Sequence, residues 1–135
     1  MPSALSFLSL YQDLPPPADG DTAATGLARW RDAAAETADG PLAAAMRSFA
    51  AEPEGRRILA SIFGGSPYLT QCCLAEPGFL LQLVEEGHDA TFAELIRRLN
   101  HEVAHLRERP ALMAALRREK RRAALLIALA DLSGQ

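Results

Sequence analysis

Three observations predict an all-α fold. No run of the chain alternates apolar and polar residues with the two-residue period of a strand. Proline and glycine punctuate it at helix-length intervals, often beside a capping residue. The segment from Thr91 to Glu108 carries apolar residues at helical spacing. Such helices bury one stripe each against another. The expected architecture is therefore an irregular bundle of about seven helices, with a long C-terminal helix and no sheet. No internal repeat is visible, so a solenoid is not expected.

The elements follow in chain order. Residues 1–20 hold the run LPPPADG, whose prolines remove backbone donors and whose Asp and Gly favour turns. They are expected as an extended arm or linker, and residues 21–135 as a helical domain. Asp21 and Thr22 can cap a first helix running to about Ala38, where Asp39, Gly40 and Pro41 stop it. Pro41 suits the first turn of a second helix, Leu42 to Ala51. A third spans Pro53 to Phe63 and ends at Gly64 and Gly65. Ser66 before Pro67 is a cap followed by a first-turn proline, opening a fourth helix to Ala75. Glu76 and Pro77 restart a fifth, which Gly87 closes. Asp89 is expected to cap the sixth.

On the sixth helix Phe92, Leu95, Ile96, Leu99, Val103 and Leu106 fall within an arc of about 100°, a core stripe. Glu94, Arg97, Arg98, His101 and His105 lie opposite, with Glu94/Arg98 and Arg98/Glu102 at the spacing of helical ion pairs. Pro110 opens the seventh helix, ~33 Å long at 1.5 Å per residue. There Leu112, Leu116, Ala123, Ile127 and Ala130 make one stripe, and Leu125, Leu129 and Leu132 make a second on the far side. Two stripes require two partners. The second is the candidate interface with a further domain, and in this chain alone it is expected to be exposed or covered by a weak homodimer.

Composition narrows the function. The chain has 135 residues, 49% hydrophobic and 23% charged, with a net charge of −3. One domain with a real core is expected, and no general attraction to nucleic acid. Met1 to Gln12 lacks the basic start of a secretory signal, and no stretch is long and apolar enough for a membrane span. A cytoplasmic address follows. Cys72 and Cys73 are neighbours pointing about 100° apart on a helix, poorly placed to bond each other or share a metal. Small buried apolar residues are expected there. Trp30, between Arg29 and Arg31, is expected as half-buried packing.

Two motifs could carry chemistry. His101, Glu102, Val103, Ala104 and His105 spell H-E-x-x-H, which on a helix sets two imidazoles on one face for zinc and a glutamate as base. A catalytic zinc needs a third protein ligand, and the extended motif would place Gly and His where Glu108 and Ala111 stand. No metal and no catalytic residue are therefore assigned. Arg117, Arg118, Lys120, Arg121 and Arg122, broken only by Glu119, are candidates for a docking or phosphate-facing surface. They spread too far around the helix for a single phosphate site. No aromatic residues interleave them, which argues against a nucleic-acid platform. Ser66 lacks both a nucleophile elbow and a base, so it is a cap.

The blocks FGGSPYLTQCCLAEPGFLLQLVEEG, Phe63 to Gly87, and MAALRREKRRAALLIALADLSG, Met113 to Gly134, occur in that order. Together they resemble the extreme N-terminal segment of glutamine synthetase adenylyltransferase, the bifunctional enzyme also called adenylyl-tyrosine phosphorylase. The resemblance covers roughly Ile58 to Gly134. It implies a parent nucleotidyltransferase that moves AMP from ATP onto a tyrosine of glutamine synthetase and removes it by phosphorolysis, using Mg2+ and responding to the PII protein. It further implies that this chain is a scaffold placed before the first nucleotidyltransferase domain. The Gly-rich turn and S-D-x-D carboxylate pair of that domain are absent from these residues, so the chain alone is expected to bind no cofactor and to be inactive. The alternative from another class is a stand-alone helical interaction module using the basic helix face.

Overall fold

The computed structural model describes residues 20–133. The arm expected over residues 1–20 lies outside them but for Gly20, the first residue of α1. Among the described residues there are seven helices and no strand: α1 (Gly20–Glu36), α2 (Gly40–Ala51), α3 (Pro53–Gly65), α4 (Pro67–Ala75), α5 (Pro77–Glu86), α6 (His88–His105) and α7 (Arg109–Ser133).

Local chemistry sets most boundaries. Asp39 Oδ1 accepts the Leu42 amide at 3.0 Å, with Pro41 in the first turn of α2. Ser66 Oγ accepts the Leu69 amide at 3.3 Å, with Pro67 opening α4. Each satisfies a donor that a helix start leaves orphaned. Two expected caps are corrected. Asp21 falls inside α1. Gly87, at φ 93°, both ends α5 and caps α6, so α6 starts at His88. Only glycine holds that conformation cheaply, and one residue suffices for the whole connection. Asp89 therefore sits in the first turn, where its charge faces the positive end of the helix dipole.

The helices share one core. Trp30 lies at its centre with no exposure, not half-buried as expected, and its indole N–H donates to the Met46 carbonyl at 2.9 Å. That bond ties α1 to α2 and satisfies the one polar atom the ring carries inward. Phe49 and Phe63 each tilt against Trp30 at a centroid distance of 6.4 Å. Ile58, Leu59, Leu80 and Leu83 complete the layer from α3 and α5. α1 approaches α3 closely because Gly26 has no side chain: a Cβ there would stand 2.4 Å from Phe63 Cβ. Cys72 and Cys73 are free and fully buried in the same core, as expected of small apolar residues.

The last two helices form a hairpin across α4 and α5, and here the expected faces are rotated. Leu95 is buried and Leu99 and Leu106 are half-buried. Phe92 is 53% exposed, Val103 is 56% exposed, and Ile96 is exposed with them. The face of α6 turned inward is instead His88, Thr91, Leu95 and Glu102. Glu102 is held by an arginine of α7, and that polar tie turns half of the apolar stripe to solvent. On α7 the correction is larger: Leu125 and Leu129 are fully buried and Leu132 packs against the same core, whereas Ile127 is 60% exposed. The stripe assigned to a further domain is the internal one. Leu125 and Leu129 thus offer no free surface for self-association, and Leu132 is half-buried.

Candidate functional site

The basic block of α7 splits into two sets. Arg118, Arg121 and Arg122 turn toward the bundle, and Arg117 and Lys120 face solvent. Arg122 Nε donates to Glu76 Oε1 at 2.7 Å, and its Nη1 donates to Glu119 Oε1 at 2.9 Å. Arg121 reaches the other oxygen of Glu76 at 3.5 Å. Arg118 pairs with Glu102 of α6 and lies 3.9 Å from Glu119. The Arg122 guanidinium also sits 5.8 Å from the centroid of the Phe79 ring, a cation–π distance.

This web is built from three elements. Glu76 stands between α4 and α5, where it makes no side-chain cap bond and offers both oxygens to α7 instead. Glu102 comes from α6. Glu119, which interrupts the basic run, is 3% exposed and lies at the centre. Charges this buried need opposite charge and hydrogen bonds around them. Burial pushes the Glu119 carboxyl above its ordinary pKa, Arg122 opposes that shift, and the nearby Glu102 charge adds to it. The web's chemistry is cross-linking: it fixes α6 and the α4–α5 corner on α7. Beside it, a cleft of about 340 Å³ is lined by Glu76, Phe79, Gln82, Arg98 and Arg122 among others, at the meeting of α2, α5, α6 and α7.

Sequence reasoning placed the cations correctly on one helix but missed Glu76 and Glu102 as their partners. No sequence signal links positions 45 residues apart. The expected Glu94 pair with Arg98 is present at 3.5 Å, accompanied by a shorter one to Arg97 at 2.6 Å. The expected Arg98/Glu102 pair is replaced by Arg118 with Glu102.

That replacement bears on the H-E-x-x-H pattern. The His101 and His105 rings stack at a centroid distance of 4.1 Å on the surface, and His105 Nδ1–H donates to the His101 carbonyl at 2.8 Å. Glu102 points the other way, into the ion-pair web, so it cannot serve as base to a water held by the two imidazoles. Among the described residues no three His, Cys, Asp or Glu side chains are grouped to hold a metal ion.

Around the web α7 leaves Met113, Leu116 and Ile127 exposed. Arg117 and Lys120 share that outward side without an ion pair among the described residues. It joins apolar contact area to two unpaired cations, the composition of a docking surface. No helix among the described residues is long and apolar enough to cross a membrane.

Comparison with known proteins adds a second line of observation. A family model described as glutamate-ammonia ligase adenylyltransferase matches residues 57–135. A bifunctional glutamine synthetase adenylyltransferase/adenylyl-removing enzyme of Rhodopseudomonas palustris (strain BisB5) is 40% identical over 94 residues, 69% of this chain and 10% of that protein. The similarly named protein of Bradyrhizobium diazoefficiens is 37% identical over 91 residues, 67% of this chain and 9% of the relative. That of Bartonella quintana is 38% identical over 88 residues. The chain thus spans about a tenth of the length of the curated relatives it matches. No solved structure matches it.

Proposed function

The chain belongs to the glutamate-ammonia ligase adenylyltransferase family, and from that membership we propose that it is the helical lead-in of an enzyme that adenylylates glutamine synthetase and removes the adenylyl group again. In this reading the enzyme as a whole transfers AMP from ATP to a tyrosine hydroxyl, cleaves the product with phosphate, uses Mg2+, and answers to the PII protein. The lead-in scaffolds the nucleotidyltransferase domain that follows it.

The observation that carries the reading is the family match across α3 to α7, the part of the chain that contains the whole ion-pair web. A lead-in must hold its shape while a neighbour moves substrates. The web supplies that rigidity by tying α6 and the α4–α5 corner to the longest helix. The described residues do not fit Mg2+–ATP. Glu76, Glu102 and Glu119 are occupied by arginines, and no other carboxylates are grouped to bind a cation. In this reading the catalytic metal and its ATP belong to the nucleotidyltransferase domain, and no step of the transfer is assigned to this chain. The surface offered to the neighbouring domain is Met113, Leu116 and Ile127 with Arg117 and Lys120, in place of Leu125, Leu129 and Leu132.

Deleting the coding region of this chain from its host tests the proposal. The expected result is a glutamine synthetase whose adenylyl-tyrosine content, read by mass spectrometry, no longer follows the nitrogen supply. A deletion strain with normal adenylylation and deadenylylation overturns it and returns the stand-alone interaction module as the leading reading.

A further inference from the structure

Among α1, α2 and α3, none of which contributes to the web, three arginines from three helices converge on one concavity. Arg31 of α1, Arg47 of α2 and Arg56 of α3 line a cleft of about 450 Å³ with Ala50 and Ala51, and among the described residues no carboxylate lines it. The chain as a whole carries a net charge of −3, so a cleft lined by three arginines runs against the overall sign. The arginines facing the web in α7 each meet a glutamate. Arg31 and Arg47 make no ion pair among the described residues.

The positions of the three are set by the fold. The Trp30 indole bond to the Met46 carbonyl, at 2.9 Å, locks α1 against α2. Arg31 and Arg47 each follow one of its partners by a single residue. Arg56 Nε and Nη2 donate to the carbonyls of Ala50 and Ala51, both at 3.4 Å. Those carbonyls end α2 and carry the negative pole of its dipole, so Arg56 offsets a feature of the cleft that would repel an anion.

A guanidinium presents a planar fork of donors that matches phosphate oxygens. The volume lies in the range of small-ligand sites, roughly 300–1,000 Å³. Among the described residues the lining holds no aromatic ring on which a base could stack, so the phosphoryl groups are what the cleft can read. We propose that Arg31, Arg47 and Arg56 form a binding site for a small polyphosphate, gripped by Arg31 and Arg47 and bounded by Arg56. Inorganic pyrophosphate and the diphosphate tail of a nucleotide share that chemistry. The inference stands apart from the proposed enzyme function, because all three residues precede the family-matched residues 57–135.

Isothermal titration of the full 135-residue chain with pyrophosphate and with ADP at low salt tests it. Saturable binding of pyrophosphate to a single site is expected, with ADP competing for it. Pyrophosphate binding more tightly than ADP identifies the inorganic source, ADP binding more tightly identifies the nucleotide, and binding of ADP with none of pyrophosphate overturns the reading, because the diphosphate would then not be what the cleft holds. The pair Arg31→Gln and Arg47→Gln should weaken affinity about tenfold or more, the loss of two charge-assisted contacts. It should melt no lower than the native chain, since it relieves like-charge repulsion. The pair Arg107→Gln and Arg109→Gln removes the same charge elsewhere and should leave affinity within about twofold. If the glutamine pair fails to fold, Arg31→Lys with Arg47→Lys replaces it. That pair keeps the charge and loses the fork, so a several-fold loss is expected. No saturable binding of either probe overturns the proposal. So does an unchanged affinity in the cleft variants, or an equal loss in the remote pair.

Discussion

Leu129 and Ile127 stand two residues apart on α7, one with no exposed surface and the other 60% exposed, and truncating each to alanine separates internal from external faces of that helix. Leu129→Ala removes three buried carbons, about 2.4 kcal/mol at ~0.8 kcal/mol per CH2. Incomplete collapse of the cavity raises the cost toward about 3–5 kcal/mol. The helix-propensity gain of alanine over leucine returns only a few tenths of a kcal/mol. Ile127→Ala removes atoms that water mostly covers already, so its cost is about 0.5 kcal/mol or less, partly offset by the better propensity of alanine. For a chain of this size total stability is of order 5–15 kcal/mol. Leu129→Ala should therefore lower the melting temperature by roughly 10 °C and Ile127→Ala by a degree or two. Urea unfolding followed by circular dichroism measures both, with an unchanged denaturant slope required for the comparison. Equal losses, or a larger loss for Ile127→Ala, would falsify the assignment of Leu129 to the core and restore the far-side leucines as an external face.

Three further outcomes are expected. Gly26→Ala should destabilise by about 1–3 kcal/mol despite the helix-propensity gain, because its Cβ would meet Phe63 at 2.4 Å; a higher melting temperature would show that α1 and α3 separate at no cost. Because the folded pKa of Glu119 is raised from 4.5, its ionisation opposes folding, and stability from this group falls as pH rises from the unfolded pKa through the raised one. Glu119→Gln should thus gain on the native chain above that window and lose its advantage as pH falls to about 4.5, read as the difference in melting temperature; an advantage that grows toward acid contradicts the sign. Tag-free protein titrated with zinc should show no stoichiometric binding, since Glu102 faces α7 and His101 and His105 lack a third ligand; one zinc per chain, lost in His105→Ala, would reopen the hydrolase reading.

Much of the fold was legible from local chemistry. Ser66–Pro67, Asp39–Pro41 and Gly87 mark boundaries because capping and proline geometry act within a turn, and neighbours in sequence suffice to satisfy them. The cationic character of α7 was equally legible. Its partners were not: Glu76 and Glu102 reach Arg122 and Arg118 only after the helices pack. The same holds for the cleft of Arg31, Arg47 and Arg56, which no spacing in the chain brings together. Trp30 shows the boundary within one residue. Its apolar bulk was evident, but its full burial depends on a carbonyl of α2 accepting the indole proton.

Periodicity fixes that α6 and α7 are helices, because backbone hydrogen bonding and side-chain spacing repeat along the chain itself. Which side of each helix turns inward is decided by the sum of all contacts. On α6 the apolar arc centred near Ile96 and Leu99 competes with Glu102, and burying a carboxylate beside Arg118 rotates Phe92, Ile96 and Val103 outward. On α7 two apolar stripes were visible from residue order alone, with nothing local to rank them. The bundle ranks them: Leu125 and Leu129 meet Cys-bearing α4 and the core, and Ile127 meets water. Helix type is a local property of the backbone, whereas helix rotation is a property of the packed whole.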